Sequence, residues 1–351
     1  MHRVFVPCSH PKNTPSGAAV GLSILPKIVI KPLPMKACLP MLVMSLSTML
    51  AQSQTLQPPA QLSLFMEGTV STNLNERDMA LSPDGSEMYY TLEAAQNAFS
   101  TILYRHKLPG NKWSAPEVAP FSGQFKDLEP AFSADGRRLF FSSNRPLSGT
   151  QAKDFDIWVV ERAKDGSWSS PRNVGAPVNT NANEFYPSVA LSGNLYFTSE
   201  YEKGVGKEDI YVCQWQDGKY TESVALDTAV NSKLWEFNAF VSPDEKFILF
   251  TSYGRKDDHG GGDLYISFRD AAGVWQPAKN MSMLNSPRLD YCPFVSFDQK
   301  ILFFTSGRHD LPSTYEKPTT HAALVKAYNS VRNGSENIYW VDFQALVGSL
   351  K

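Results

Sequence analysis

Cysteine is scarce in this chain: four in 351 residues, two of them (Cys8 and Cys38) within the first 53. A disulfide-stapled fold is thereby excluded. Histidine is nearly as sparse, with six residues. There is no Gly-x-Ser-x-Gly anywhere, so no α/β-hydrolase domain accompanies the rest. An excess of positive charge is also missing. The five basic residues Arg3, Lys12, Lys27, Lys31 and Lys36 all lie before residue 54, in a stretch without acid. The remainder carries 28 basic against 35 acidic residues, a net charge near −7. Such a surface repels phosphate backbones, and nucleic acid is not an expected partner.

Long apolar runs are absent with one exception. Met35-Lys36 precedes an apolar stretch over residues 37–50, followed by Ala51-Gln52-Ser53. A lysine, an apolar segment and a small-x-small site make a secretory signal peptide. The run is too short to span a bilayer and turns polar abruptly; an uncleaved anchor is the alternative. Cys38 does not follow a small-residue lipobox, so a lipoprotein is not read. Residues 1–34, rich in Pro and Gly, read as an upstream extension foreign to the native protein, with translation starting at Met35. The expected organisation is a signal peptide at 35–53, a linker at 54–61 and one domain at 62–345, in a periplasmic or secreted protein.

What the chain has in abundance is repetition. An acidic residue, a short apolar strand, a Ser-x-Asp-Gly-like turn and a second strand recur five times, with a third strand opening on Asp-Ile-Tyr or a variant. The turns are Ser82-Pro83-Asp84-Gly85, Ser133-Ala134-Asp135-Gly136, Ala190-Leu191-Ser192-Gly193, Ser242-Pro243-Asp244-Glu245 and Ser296-Phe297-Asp298-Gln299. They lie roughly 50–57 residues apart, a period with several strands per unit that marks a β-propeller. Second strands such as Leu139-Phe140-Phe141-Ser142 are short continuous apolar runs, as strands buried on both faces require. Fourth strands follow Trp113, Trp168, Tyr220 and Trp275, but the fifth unit ends at Asp342 without one. The segment around 62–67 (with Leu64-Phe65-Met66) supplies it and closes the ring. The expected fold is all-β, a β-propeller of five four-stranded blades closed by an N-terminal strand, with six blades as the alternative. Cys213 and Cys292 then fall in the third and fifth blades, out of bonding range, and read as small buried apolar side chains.

The stretch Glu129-Pro130-Ala131-Phe132-Ser133-Ala134-Asp135-Gly136-Arg137-Arg138-Leu139-Phe140-Phe141-Ser142-Ser143-Asn144-Arg145, closing on Asp156-Ile157-Trp158, resembles the WD-like propeller repeat of the TolB type. The resemblance covers nearly all of residues 62–345. It implies an exported propeller, often part of envelope machinery and usually not a catalyst, with an envelope protein or a glycan as partner. The chain departs from TolB itself, which has six blades and a separate N-terminal α/β domain.

Loops leading into first strands and out of second strands emerge on one propeller face. There the repeat places an acid at one register in every blade: Glu76, Asp127, Glu184, Glu236 and Asp290. Three blades add Arg145, Arg255 and Arg308, and two adjacent blades add His259 and His309. Convergent carboxylates at a channel mouth would hold a cation or a cationic group. The competing reading is structural: each acid caps a turn or pairs with an Arg. No cofactor is expected beyond such a cation. Asp156, Asp209 and Asp263, with Thr101 and Asn337 at the same register, read as turn caps.

The loop from His309 to Glu336 is far longer than its counterparts. Its segment 319–331 reads as a helix that Thr caps, folding over the channel mouth on the expected ligand face. Enzyme readings are thin. The turn is not the sialidase Ser-x-Asp-x-Gly, and of the four histidines beyond the leader (106, 259, 309, 321) at most three share a face. A monomeric binding module is therefore expected, with a metal-dependent lyase or glycoside hydrolase as the alternative. Mass spectrometry of exported material should give an N-terminus near Gln52–Gln54; peptides from residues 1–34 would refute the start at Met35.

Overall fold

The structure, a computed structural model, describes residues 56–350. The expected leader at 1–53 lies outside them. Five antiparallel sheets follow one another along the chain, and their first strands touch in sequence around a ring. The first blade runs Glu76–Leu81, Glu87–Glu93, Ser100–Leu108 and Glu117–Val118. The second has Asp127–Phe132, Arg138–Ser143, Asp156–Glu161 and Arg172–Asn173. Glu184–Val189, Leu195–Ser199, Asp209–Cys213 and Val224–Ala225 form the third. The fourth comprises Trp235–Val241, Phe247–Tyr253, Asp263–Phe268 and Lys279–Asn280. Five blades are present, so the six-blade alternative falls.

The fifth blade takes its outer strand from the other end of the chain. Asp290–Val295, Ile301–Ser306 and Asn337–Asp342 are completed by Ser63–Leu64, in register Ser63 to Trp340 and Leu64 to Tyr339. The Phe65 amide donates to Ile338 O at 2.8 Å, and the Asp342 amide to Pro59 O at 3.0 Å, so part of the expected linker is tied down as well. Phe65 is fully buried, edge-on to Phe303 and Trp340 at 5.0 and 5.2 Å.

The turns explain why Ser and Asp repeat. Ser82 Oγ accepts from the amides of Ser86 and Glu87, and Asp84 accepts from Ser82 Oγ at 2.6 Å. The closing residue needs a left-handed backbone: Gly85 has φ +68°, and Glu245 and Gln299 hold +55° where Gly is absent. Apolar side chains of neighbouring blades interleave, as in the cluster of Tyr89, Phe132, Phe141 and Trp158 between the first two. Cys213 and Cys292 are buried and free.

Two helices interrupt the strand pattern. The first, α1 (His321–Tyr328), lies in the long fifth-blade loop; Thr320 caps it by accepting from the Ala323 amide. None of its residues is buried. The second, α2 (Phe343–Leu350), was not expected from the sequence. Asp342 starts it by accepting from the Ala345 amide, Phe343 is buried, and Leu346, Val347 and Leu350 pack against the core. No helix among the described residues is long and apolar enough to cross a membrane.

Closure by the N-terminal strand carries a measurable load. Removing residues 54–68 should leave the fifth blade with an open edge, giving aggregation or loss of a cooperative melt. Phe65→Ala should cost about 3–5 kcal/mol, as expected for a fully buried ring. A truncated protein melting within a few degrees of its parent would contradict the closure.

Candidate functional site at the channel mouth

Each repeated acid is bracketed inside its own blade. Glu236 accepts from the Ser232 amide and hydroxyl, both at 2.7 Å, from Ser252 Oγ at 2.7 Å and from Arg255 at 2.9 Å. Asp290 is held likewise by Ser286, at 2.6 and 2.8 Å, and by Arg308 at 2.6 Å. Asp127 takes Ser143 Oγ and Arg145, each at 2.6 Å, and Ser122 Oγ at 2.8 Å. Ser122 stands five residues before its acid, where Ser232 and Ser286 stand four before theirs. Glu184 binds Thr180 and, lacking an Arg, Tyr201 Oη at 2.6 Å; Glu76 binds Thr72. The second guanidinium contact is also structural: Arg145, Arg255 and Arg308 donate to the carbonyls of Phe121, Val230 and Leu284.

These five acids are 0–3% exposed and do not meet at the channel. The sequence expectation of a convergent carboxylate ring is therefore corrected, because each side chain turns sideways into its own blade to satisfy a strand-entry corner. Where no Arg is present, burial raises the carboxyl: Glu76 moves up, and Glu184 reaches about 7. The histidines do not meet either. His259 Nδ1 pairs with Asp263 at 2.8 Å, and that bond raises its pKa. His309 Nε2 faces Arg288 at 2.8 Å. Among the described residues no three His, Cys, Asp or Glu gather to hold a metal.

What lines the channel is the residue two places beyond each acid. Asp78, Glu129, Tyr186, Asn238 and Cys292 all sit at positive φ, between +49° and +61°. Each occupies a register break in its first strand, between Arg77 and Ala80, Leu128 and Ala131, Phe185 and Ser188, Phe237 and Phe240, or Tyr291 and Phe294. This is a bulge that re-aims one side chain per blade. Neighbouring blades hold it open: the amides of Asp78, Glu129 and Asn238 donate to Thr305, Thr91 and Thr198 Oγ1 at 3.1–3.2 Å. At the third blade Glu129 intervenes, accepting from the Tyr186 amide at 2.7 Å and from Ser142 Oγ at 2.9 Å.

Arg77 is the hub of this layer. It pairs with Asp78 at 2.9 Å, Glu93 at 3.1 Å and Glu129 at 3.3 Å, and lies over the Tyr291 ring. Asn238 Nδ2 adds a bond to Glu129 at 3.2 Å. Above lies a cavity of about 240 Å³ lined by Arg77, Glu93, Ser100, Glu129, Phe155, Phe185, Glu208 and Asn238, with Asn97, Lys126 and Leu128. The Phe155 and Phe185 rings stand 5.0 Å apart at 42°. Burial, then Asp78, pushes Glu129 up to about 7 against the pull of Arg77. Burial, then Glu200, Glu129 and Asp209, raises Glu208 to about 8.

Glu208 is placed by backbone rather than by its side chain. The Glu236 amide donates to Glu208 O at 2.9 Å, and the Lys207 amide to Leu234 O at 2.8 Å. Gly206 packs so closely on Ser232 O that a Cβ would lie 2.3 Å from it. Phe155 and Glu336 occupy the same register, accepting from the Glu184 and Glu76 amides. The long loop at 309–336 contributes nothing to the cavity lining. Its bonds run instead to Asn73 and Asn75 at the seam between the last and first blades, from Asn333 Nδ2 and the Glu336 amide. These bonds place the end of the loop at that seam, outside the lining of this cavity.

No family model matches the chain, and no curated protein matches it. Solved structures do. TolB from Acinetobacter baumannii is 14% identical with a TM-score of 0.42, over 77% of this chain and 55% of that one. This chain thus spans about half the length of that TolB. The catalytic domain of the GH62 α-L-arabinofuranosidase from Coprinopsis cinerea is 11% identical with a TM-score of 0.48, over 81% and 98%. A family 117 glycoside hydrolase produced by the marine bacterium Zobellia galactanivorans is 14% identical with a TM-score of 0.45, over 81% and 90%. At these values none assigns a function.

The raised Glu208 carboxyl gives a pH test. Its folded-state pKa lies above the unfolded one, so the folded protein binds the extra proton and loses that stability as pH rises from about 4.5 to about 8. Glu208→Gln should flatten the melting-temperature profile over this range and melt higher than the parent at pH 8. Parallel profiles would show that Glu208 is solvated.

Proposed function

We propose that this protein is an exported binding module of the TolB-like type that takes a glycan residue at the channel mouth. The observation that carries the reading is the concentration of non-repeating side chains there. Arg77, Phe155, Phe185, Glu208 and Asn238 occupy registers that no one residue type fills around the ring, although Phe237 matches Phe185 and Glu336 matches Glu208, and all face one cavity. At about 240 Å³ it suits one sugar ring rather than a drug-sized ligand, whose pockets start near roughly 300 Å³. Phe155 and Phe185 offer apolar faces for ring C–H groups, and Asn97, Ser100, Glu93 and Asn238 offer hydroxyl partners. An envelope glycan is favoured over a protein partner because the site is concave and small.

A second reading is favoured by one observation. Burial, then Glu200, raises the Glu208 carboxyl to about 8, the direction that a general acid for glycoside cleavage needs. Incubation with a panel of aryl glycosides separates the two: turnover that disappears in Glu129→Gln and Glu208→Gln would establish catalysis.

For the binding reading, a glycan array should give hits that Phe155→Ala with Phe185→Ala reduces at least tenfold, while the melting temperature moves little because both rings are half-exposed. An array without hits, or hits unaffected by the double variant, would refute it.

A further inference from the structure

Three acids face the cavity, Glu93, Glu129 and Glu208, with Asp78 buried beneath. Arg77 and Lys126 are the cations that line it, and Arg77 is already shared by Asp78, Glu93 and Glu129. Lys126, at the rim, is turned to Asn97 O at 2.6 Å. The lysines beside Glu208 are also engaged. Lys207 lies over the Trp235 ring at 3.7 Å, and Lys203 binds Ser223 at 2.9 Å. No hydrogen bond or ion pair among the described residues holds the Glu208 carboxylate, and Glu200, Glu129 and Asp209 all repel its charge.

Two further polar atoms await a partner. Ser100 lines the cavity, is 4% exposed, and its Oγ has no hydrogen-bond partner. Asp78 Oδ2, below the cavity floor on a residue 1% exposed, has none either. A buried hydroxyl left unpaired costs about 1–3 kcal/mol. Its position in the wall of the cavity that the unpaired Glu208 side chain also lines is the arrangement of a site that an occupant completes.

We propose that the cavity is selective for an amino sugar whose ammonium group sits against Glu208 and whose ring lies along Phe155 and Phe185. The inference rests on the glycan reading above and narrows its ligand class. An ammonium group brings three donors and one positive charge. Set against Glu208 it would stabilise the ionised carboxylate and displace to solvent the proton that burial and acidic neighbours hold there, while a neighbouring hydroxyl of the same ring meets Ser100 Oγ. A neutral sugar satisfies the hydroxyl but brings no charge to stabilise the ionised carboxylate. An N-acetylated one also adds bulk at the point where the carboxylate stands.

The test uses D-glucosamine, D-glucose, N-acetyl-D-glucosamine and methylammonium chloride as probes, titrated calorimetrically at pH 7 into the wild type and Glu208→Gln. Glucosamine should bind the wild type at least tenfold more tightly than glucose or N-acetylglucosamine. Glu208→Gln should remove that preference without lowering the melting temperature. Equal or tighter binding of the neutral sugars overturns the ammonium selectivity and leaves the glycan reading standing. Methylammonium binding as tightly as glucosamine keeps the ammonium site but removes the sugar. A preference that survives in Glu208→Gln places the charge elsewhere and overturns the assignment. Failure of all four probes overturns the inference; the array then decides the glycan reading by itself.

Discussion

A carboxylate with no access to water is costly to bury, by several kcal/mol even after relaxation, unless donors surround it. Five such groups stand at the entries of the five innermost strands, and the rest of the ring follows from how they are satisfied. Each draws a Ser or Thr from the incoming connection; three draw an Arg from the second strand's end, whose guanidinium also holds the carbonyl of the preceding blade connection. One bracket therefore fixes the incoming loop, the first strand and the second strand at once. Removing one partner of such a pair typically costs 3–5 kcal/mol. The residue types recur because the corner recurs.

The bracket also determines what faces the channel. With the acid turned into the blade, the chain must recover its strand register, and it does so through a left-handed bulge two residues on. Left-handed backbone in a non-glycine residue costs of order 1–3 kcal/mol and persists only where surroundings over-determine it. Here the threonines of the preceding blades do so, by accepting the amides at the bulge. The bulged side chain is thus committed to the channel but has no repeated partner there, and its identity is free to vary. That freedom explains why Asp78, Glu129, Tyr186, Asn238 and Cys292 share a backbone shape and nothing else.

Architecture was legible in the sequence because it repeats. The Ser-x-Asp-Gly turns fixed the blades, the missing fourth strand after Asp342 pointed to Ser63–Leu64, and Thr320 announced the helix at 321–328. The site was read less well for the same reason. Attention to what recurs selects Glu76, Asp127 and their counterparts, each held inside its blade, and passes over Glu129, which differs from its counterparts, and Glu208, which only Glu336 matches. The usable signal was the non-repeating register between a constant acid and a constant strand. The bulge itself leaves no mark in periodicity, since apolar alternation resumes one residue late. The α2 helix escaped because the repeated unit ends at Asp342, and the cap, Asp342 accepting from the Ala345 amide, belongs to no repeated position.

The electrostatics of the mouth follow from the same division of labour. Counter-ions in this protein are allotted where the repeat demands them: Arg145, Arg255 and Arg308 all serve brackets. At the cavity, outside the repeated corners, Arg77 stands against Asp78, Glu93 and Glu129, and Lys126 is turned to Asn97 O. Folding alone would favour neutralising the remainder, as Tyr201 does for the bracket without an Arg. Glu208 instead stays unpaired at a position its backbone fixes rigidly between two blades, raised by burial and by its acidic neighbours. An unpaired acid held at a cavity wall and absent from the repeated scaffold is where binding free energy is available to a ligand, because an occupant that stabilises its ionised form supplies the partner that folding left out.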